Sequence, residues 1–147
     1  MSVEFRILGP KDAAVLSRVA AGVFDHDIDR ALTEEFLRDA RHHLVVALDG
    51  DTVVGFASAV HYVHPDKPAE LWINEVGVAP SHRRQGLAQQ LMQALFDLGP
   101  KLGCREAWVL TSPANLGAMR LYEAVGGRRL ADPPAMFTFR LPGGPST

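Results

Sequence analysis

The chain reads as a single α/β domain of the α+β kind, a mixed, mostly antiparallel sheet flanked by helices, and three observations lead there. Asp49-Gly50-Asp51 separates two runs rich in β-branched residues, which marks an antiparallel hairpin. The apolar run Leu71 to Val78 is followed by a short loop and then by Leu87, Leu91, Leu95 and Leu98 at helical spacing, so a strand feeds directly into an amphipathic helix. Finally, 147 residues with 47% hydrophobic side chains suffice for one core that buries roughly two thirds of the unfolded surface, and are too few for two.

Taken in order, Val3 to Leu8 forms a first strand, which Gly9-Pro10 ends. A helix is expected from Lys11 to Phe24, with Val15, Leu16, Val19 and Val23 on its apolar side. After an acidic turn, a second short helix contains Thr33 to Leu37 and ends near Arg41. The hairpin strands are Leu44 to Leu48 and Thr52 to Tyr62, and Pro65 to Pro68 turns the chain into the central strand, Leu71 to Val78. Gly99-Pro100 ends or kinks the next helix. Ala107 to Thr111 is a further strand, and Ser112-Pro113 opens a last helix that runs through Val125 and closes on Gly126-Gly127. Ala135 to Arg140 is expected as a final strand. The order is therefore β-α-α-β-β-β-α-β-α-β, with residues 1–141 as the domain and 142–147 as a flexible tail too poor in apolar surface to order itself.

The most informative stretch is Asn74 to Ala88. Where a strand runs into a helix, the first helical amides have no intrahelical acceptor and the helix dipole adds partial positive charge, so a phosphate is favoured there. Arg83 and Arg84 add two full charges, Gly86 leaves the backbone bare, and Ala88 keeps the first turn narrow. This is a pocket for a pyrophosphate built from Arg83, Arg84, Gln85, Gly86, Leu87 and Ala88.

Arg83-x-x-Gly86-x-Ala88 resembles the Q/R-x-x-G-x-G/A signature of the GCN5-related N-acetyltransferases (GNAT). Asn115 to Gly126, with Tyr122 seven residues after Asn115 and a glycine turn behind it, resembles the second motif of that family. The order of elements agrees as well. The resemblance implies a GNAT-like fold with splayed central strands and acetyl-coenzyme A between them. It also implies that Asn115 binds the pantetheine arm and that Tyr122 protonates the departing thiolate. Phe56 through Ala88 and Leu121 through Gly126 further resemble the small aminoglycoside 3-N-acetyltransferases, which carry an acidic residue at the position of Glu75. The likeness weakens at Thr111 to Asn115, where those enzymes are acidic.

Acetyl transfer to an amine needs a neutral amine, a site for the developing oxyanion and a proton for the thiolate. Glu75 is a carboxylate within an apolar strand, on the same side as Gly77 by alternation, and burial there suits it to take a proton from a substrate ammonium; a cap or an ion pair is the plainer reading. Tyr122 also shares an apolar face with Ala118, Leu121 and Val125, where a tyrosine that merely packs in the core fits equally. Val76, Gly77 and Val78 offer backbone groups to pantetheine and to the oxyanion. Asp25, Asp27 and Asp29, between the first two helices, form an acidic patch suited to a cationic acceptor, and a solvated turn fits them nearly as well. The expected function is acetyl transfer from acetyl-coenzyme A to a primary amine of a small molecule, an aminoglycoside among the candidates. A peptide amine, or a non-catalytic acyl-coenzyme A sensor, stays open as an alternative.

Other classes are set aside. A net charge of −2 supplies no basic field for nucleic acid. Asp25 to Phe36 lacks the glycine and closing glutamate of a calcium loop, and His61 and His64, three apart on a strand, face opposite sides, so no metal is expected. Cys104 is the only cysteine, which fits a reducing compartment and leaves no disulfide. Met1 to Arg6 lacks the organisation of a signal peptide and no apolar run is long enough to span a membrane, so a cytoplasmic protein is expected. A homodimer is compatible with the family resemblance, with no residue that demonstrates it.

Overall fold

The structure, a computed structural model, describes residues 2–144. Five strands form one sheet in the order β1-β2-β3-β4-β5: β1 (Glu4–Ile7), β2 (His42–Asp49), β3 (Thr52–Tyr62), β4 (Glu70–Val78) and β5 (Ala107–Val109). The first four are antiparallel neighbours and β5 joins β4 in parallel. Three α-helices accompany them: α1 (Arg30–Arg38), α2 (Leu87–Leu98) and α3 (Leu116–Ala124).

The hairpin forms where Asp-Gly dictates. Asp49 pairs with Thr52, leaving Gly50 and Asp51 as the turn, and Gly50 takes the left-handed conformation such a turn needs (φ 61°). Helix α2 also follows its pattern. Leu87, Leu91 and Leu95 are buried, together with Met92, and the Leu91 methyl sits over Gly55, where a Cβ would come within 3.2 Å of it. This helix covers the sheet face that carries Gly55, Leu71 and Ile73. Among the described residues, no helix is long and apolar enough to cross a membrane.

Two expected elements are different. The helix from Lys11 to Phe24 is only a 3₁₀ turn over Ala13–Ser17. From Arg18 to Ala20 the backbone is extended, because Val53 N–H donates to the Arg18 carbonyl (2.8 Å) and Ala20 N–H donates to the Val53 carbonyl (2.9 Å), and turns follow. The strand edge supplies partners that a helix would have had to supply itself. The apolar side chains still turn inward, with Leu16 and Val23 buried and Phe24 stacked on Phe56 at 3.9 Å.

Ala135 to Arg140 likewise forms no strand. Its alternation gives propensity, but no neighbouring strand offers it a ladder, and Met136, Phe137 and Phe139 are exposed. Of the tail expected at 142–147, residues 145–147 lie outside the described part, and Gly144 N–H closes a turn onto the Leu141 carbonyl at 2.9 Å.

Candidate active site

Strand β4 changes its environment midway. On the β3 side, Ser58 pairs with Glu75 while the next residue, Ala59, pairs with Ile73, so Asn74 is an extra residue, a β-bulge. On the other side, β5 pairs only with Leu71, Trp72 and Ile73. From Asn74 to Val78 the β4 backbone thus keeps one neighbour and has a free edge where β5 has ended. Alternate amides and carbonyls along Val76, Gly77 and Val78 are left for a ligand, the splay that the sequence resemblance implies.

The bulge also sets which way Glu75 points. Without it, Glu75 would share the α2-covered face with Ile73 and Leu71. With it, Glu75 lies on the opposite face, beside Ser58 and in line with Gly77. Glu75 is exposed, which corrects the expectation of a buried carboxylate, and it makes no ion pair or side-chain hydrogen bond among the described residues. Its face is the one against which the N-terminal segment packs, since a Cβ on Gly77 would meet the Val23 carbonyl and the Phe56 ring.

Past β4, Ala79 N–H donates to the Val54 carbonyl at 2.8 Å and Pro80–His82 makes a 3₁₀ turn. His82 is anchored on both sides of its ring. Nδ1 lies 2.7 Å from Ser81 Oγ and Nε2 lies 2.8 Å from Asp49 Oδ2. With the hydroxyl donating to Nδ1, the ring carries its proton on Nε2 and donates to the carboxylate. Arg84 and Gly86 both adopt positive φ, 62° and 76°, which turns the chain sharply into α2. Arg83, Arg84, Gln85 and Gly86 are exposed, and neither arginine is ion-paired among the described residues. A Cβ on Gly86 would have open space around it, so the bare approach here is toward solvent. Leu87 is buried and Ala88 partly so, which leaves their backbone amides as what they offer.

A groove of about 700 Å³ runs from Gly86 and Gln90 to Ala124, Val125 and Gly126, so the end of α3 lies beside the start of α2. Tyr122, just before that end, is half-buried, and burial pushes its phenol pKa up. Asn115 is the N-cap of α3, its side-chain oxygen accepting from Ala118 N–H at 3.1 Å. The helix begins here rather than at Ser112-Pro113, and only the Asn115 amide NH₂ is left for a ligand. Asp29 likewise caps α1, accepting from Leu32 N–H at 2.9 Å, whereas Asp25 and Asp27 are exposed without ion pairs among the described residues.

The sequence reading missed two pairs. Beside His82 with Asp49, His43 Nε2 lies 2.8 Å from His61 Nδ1 at the far end of the sheet, with the rings stacked. Both join residues distant in the chain, and no local pattern announces them.

A free strand edge opening beside an amide-rich, doubly basic helix start suits a ligand with a phosphate group and an extended amide-bearing arm. Residues 14–126 match the acetyltransferase (GNAT) family, and the chain belongs to that family. It is an N-acetyltransferase and its acetyl donor is acetyl-coenzyme A. The residues present fit that donor: arginines without ion pairs among the described residues and helix-start amides for the pyrophosphate, and the open β4 edge for pantetheine.

Among curated relatives, aminoglycoside N(6')-acetyltransferase type 1 of Salmonella typhimurium is 32% identical over 97 residues, covering 63% of this chain and 67% of that protein. L-2,4-diaminobutyric acid acetyltransferase of Shouchella clausii is 31% identical over 88 residues, covering 60% and 48%. The solved aminoglycoside N-acetyltransferase AAC(6')-Iy in complex with CoA superposes with a TM-score of 0.72 at 25% identity, over 96% of this chain and 95% of that one. These aminoglycoside relatives are N(6') enzymes, not the 3-N enzymes expected from the sequence.

Proposed function

We propose that this N-acetyltransferase acts on a primary amine of a small cationic molecule, with aminoglycosides bearing a free 6'-amine as the first class to try, by direct attack in a ternary complex. The bulge at Asn74 carries the reading, because it presents Glu75 next to the free edge where the thioester is held. Acetyl-coenzyme A supplies an activated acetyl group. Arg83, Arg84 and the amides from Gln85 to Ala88 hold its pyrophosphate, while Val76, Gly77 and Val78 pair with its pantetheine and offer an amide to the oxyanion. The Asn115 amide adds a donor to the same arm.

Glu75, exposed and without an ion pair among the described residues, attracts the ammonium and accepts its proton, directly or through water, to free the nitrogen lone pair. Tyr122 holds a proton for the thiolate, and its burial keeps the phenol neutral. Asp25 and Asp27 add negative charge on the approach.

Glu75→Gln tests the assignment. It should lower kcat/KM by about 100-fold at neutral pH, with the loss shrinking as the pH nears the amine's own pKa and free base appears unaided. An unchanged rate and profile would remove Glu75 from the mechanism.

A further inference from the structure

The same bulge that turns Glu75 outward brings an aromatic surface into line with it. Trp72 pairs with Val60, and Glu75 with Ser58, so both lie on one face although three residues apart. The rings of Trp72 and Trp108 are stacked at 5.0 Å and 14°, and Tyr62 lies 6.4 Å from Trp72. Both indoles are partly exposed and Tyr62 is about half so (48%). Glu70 beneath them is already engaged by Lys67 (3.1 Å) and His64 (3.4 Å). The unpaired carboxylate on this face of β4 is therefore Glu75, at one end of the aromatic surface.

Resting on the acetyl-transfer reading of Glu75, we infer that Trp72, Trp108 and Tyr62 form a specificity subsite that holds a second ammonium of the acceptor while Glu75 takes the first. Aromatic faces attract cations, most strongly indole, and Glu75 at one end of the surface adds a carboxylate with no ion pair among the described residues. Because Trp72 and Glu75 face Val60 and Ser58, two residues apart on β3, they stand about 7 Å apart along the strand. The substrate class is thus an extended polycation, such as a multi-ring aminoglycoside or a long polyamine. A short diamine bridges the two ends less well than a long one.

The chain's two tryptophans are Trp72 and Trp108, so fluorescence excited selectively at tryptophan reports this surface. The test is a series of α,ω-diamines from 1,3-diaminopropane to 1,8-diaminooctane, read by thiol release from acetyl-coenzyme A and by fluorescence titration. KM should fall and quenching should appear as the chain lengthens. Trp72→Leu, checked for folding by its melting curve, should raise KM for the long diamines roughly 5- to 30-fold at constant kcat, leave the short ones unchanged, and be rescued by Trp72→Phe. Turnover with no dependence on length, or a Trp72→Leu enzyme with unaltered KM, overturns the subsite and leaves the reaction standing. Absence of turnover with every amine, short or long, overturns the underlying reading instead.

Discussion

His82 Nε2 stands 2.8 Å from Asp49 Oδ2, tying the loop ahead of α2 to the β2–β3 turn. The bond is partly buried and spans 33 residues, so it holds the loop ahead of α2 against the sheet. Asp49→Ala should cost about 1 kcal/mol of stability and weaken coenzyme A binding roughly 5- to 10-fold. Asp49→Asn, which keeps an acceptor, should recover most of both. Calorimetric titration with coenzyme A, beside a melting curve, separates the two effects; unchanged affinity in Asp49→Ala would show that the loop is held by other contacts.

Gly86 and Gly103 make a matched pair. Each has positive φ, 76° and 83°, and open space where a Cβ would go. Alanine at either site should cost about 1 kcal/mol of stability from backbone strain alone. Only Gly86→Ala should also weaken coenzyme A binding, because of the two only Gly86 lies in the proposed pyrophosphate site. Equal affinity in the two variants would contradict that.

Tyr122→Phe keeps the ring's packing and removes its proton. Turnover should drop by about 100-fold with coenzyme A affinity nearly unchanged. Because burial raises the phenol pKa, the wild-type alkaline limb should lie above the usual tyrosine range, and Tyr122→Phe should lack it. A pH–rate profile over both enzymes checks this, and unchanged turnover would dismiss the proposed acid.

His43 is pushed down to about 4, first by burial and then by the neighbouring His61 and His42. The unfolded chain therefore binds a proton that the folded chain refuses between about pH 4 and 6.5. Stability should rise with pH across that window, by on the order of 1–2 kcal/mol after solvent screening, and level off above it. His43→Leu should flatten that part of the profile in urea unfolding measured against pH. A slope that persists in the variant would place the titration elsewhere.

What could be read from the sequence was local. Asp49-Gly50-Asp51 fixed its own turn, the leucines of α2 fixed their buried side, and Gly86 marked the turn into α2, because each signal lies within a few residues. What could not be read depends on partners far along the chain. The Lys11 to Phe24 stripe does bury Leu16 and Val23, but Val53 competes for the backbone and opens the helix. Period-two alternation put Glu75 and Gly77 on one side, yet the exposure of Glu75 and its alignment with Trp72 come from Asn74 falling out of register with β3. Hydrophobicity does not encode that slip. Asp29 was read as a ligand group from its charge and Asn115 from the family resemblance, and both turn out to spend an oxygen on a helix cap.

The most direct test of the central claim is thiol release from acetyl-coenzyme A by the purified protein, offered aminoglycosides with and without a free 6'-amine, polyamines, amino acids and lysine peptides. The account predicts release with extended polycationic amines, and loss of most of that release in both Glu75→Gln and Tyr122→Phe. Tight coenzyme A binding with no release to any amine, or release to peptides alone that neither substitution affects, would contradict it.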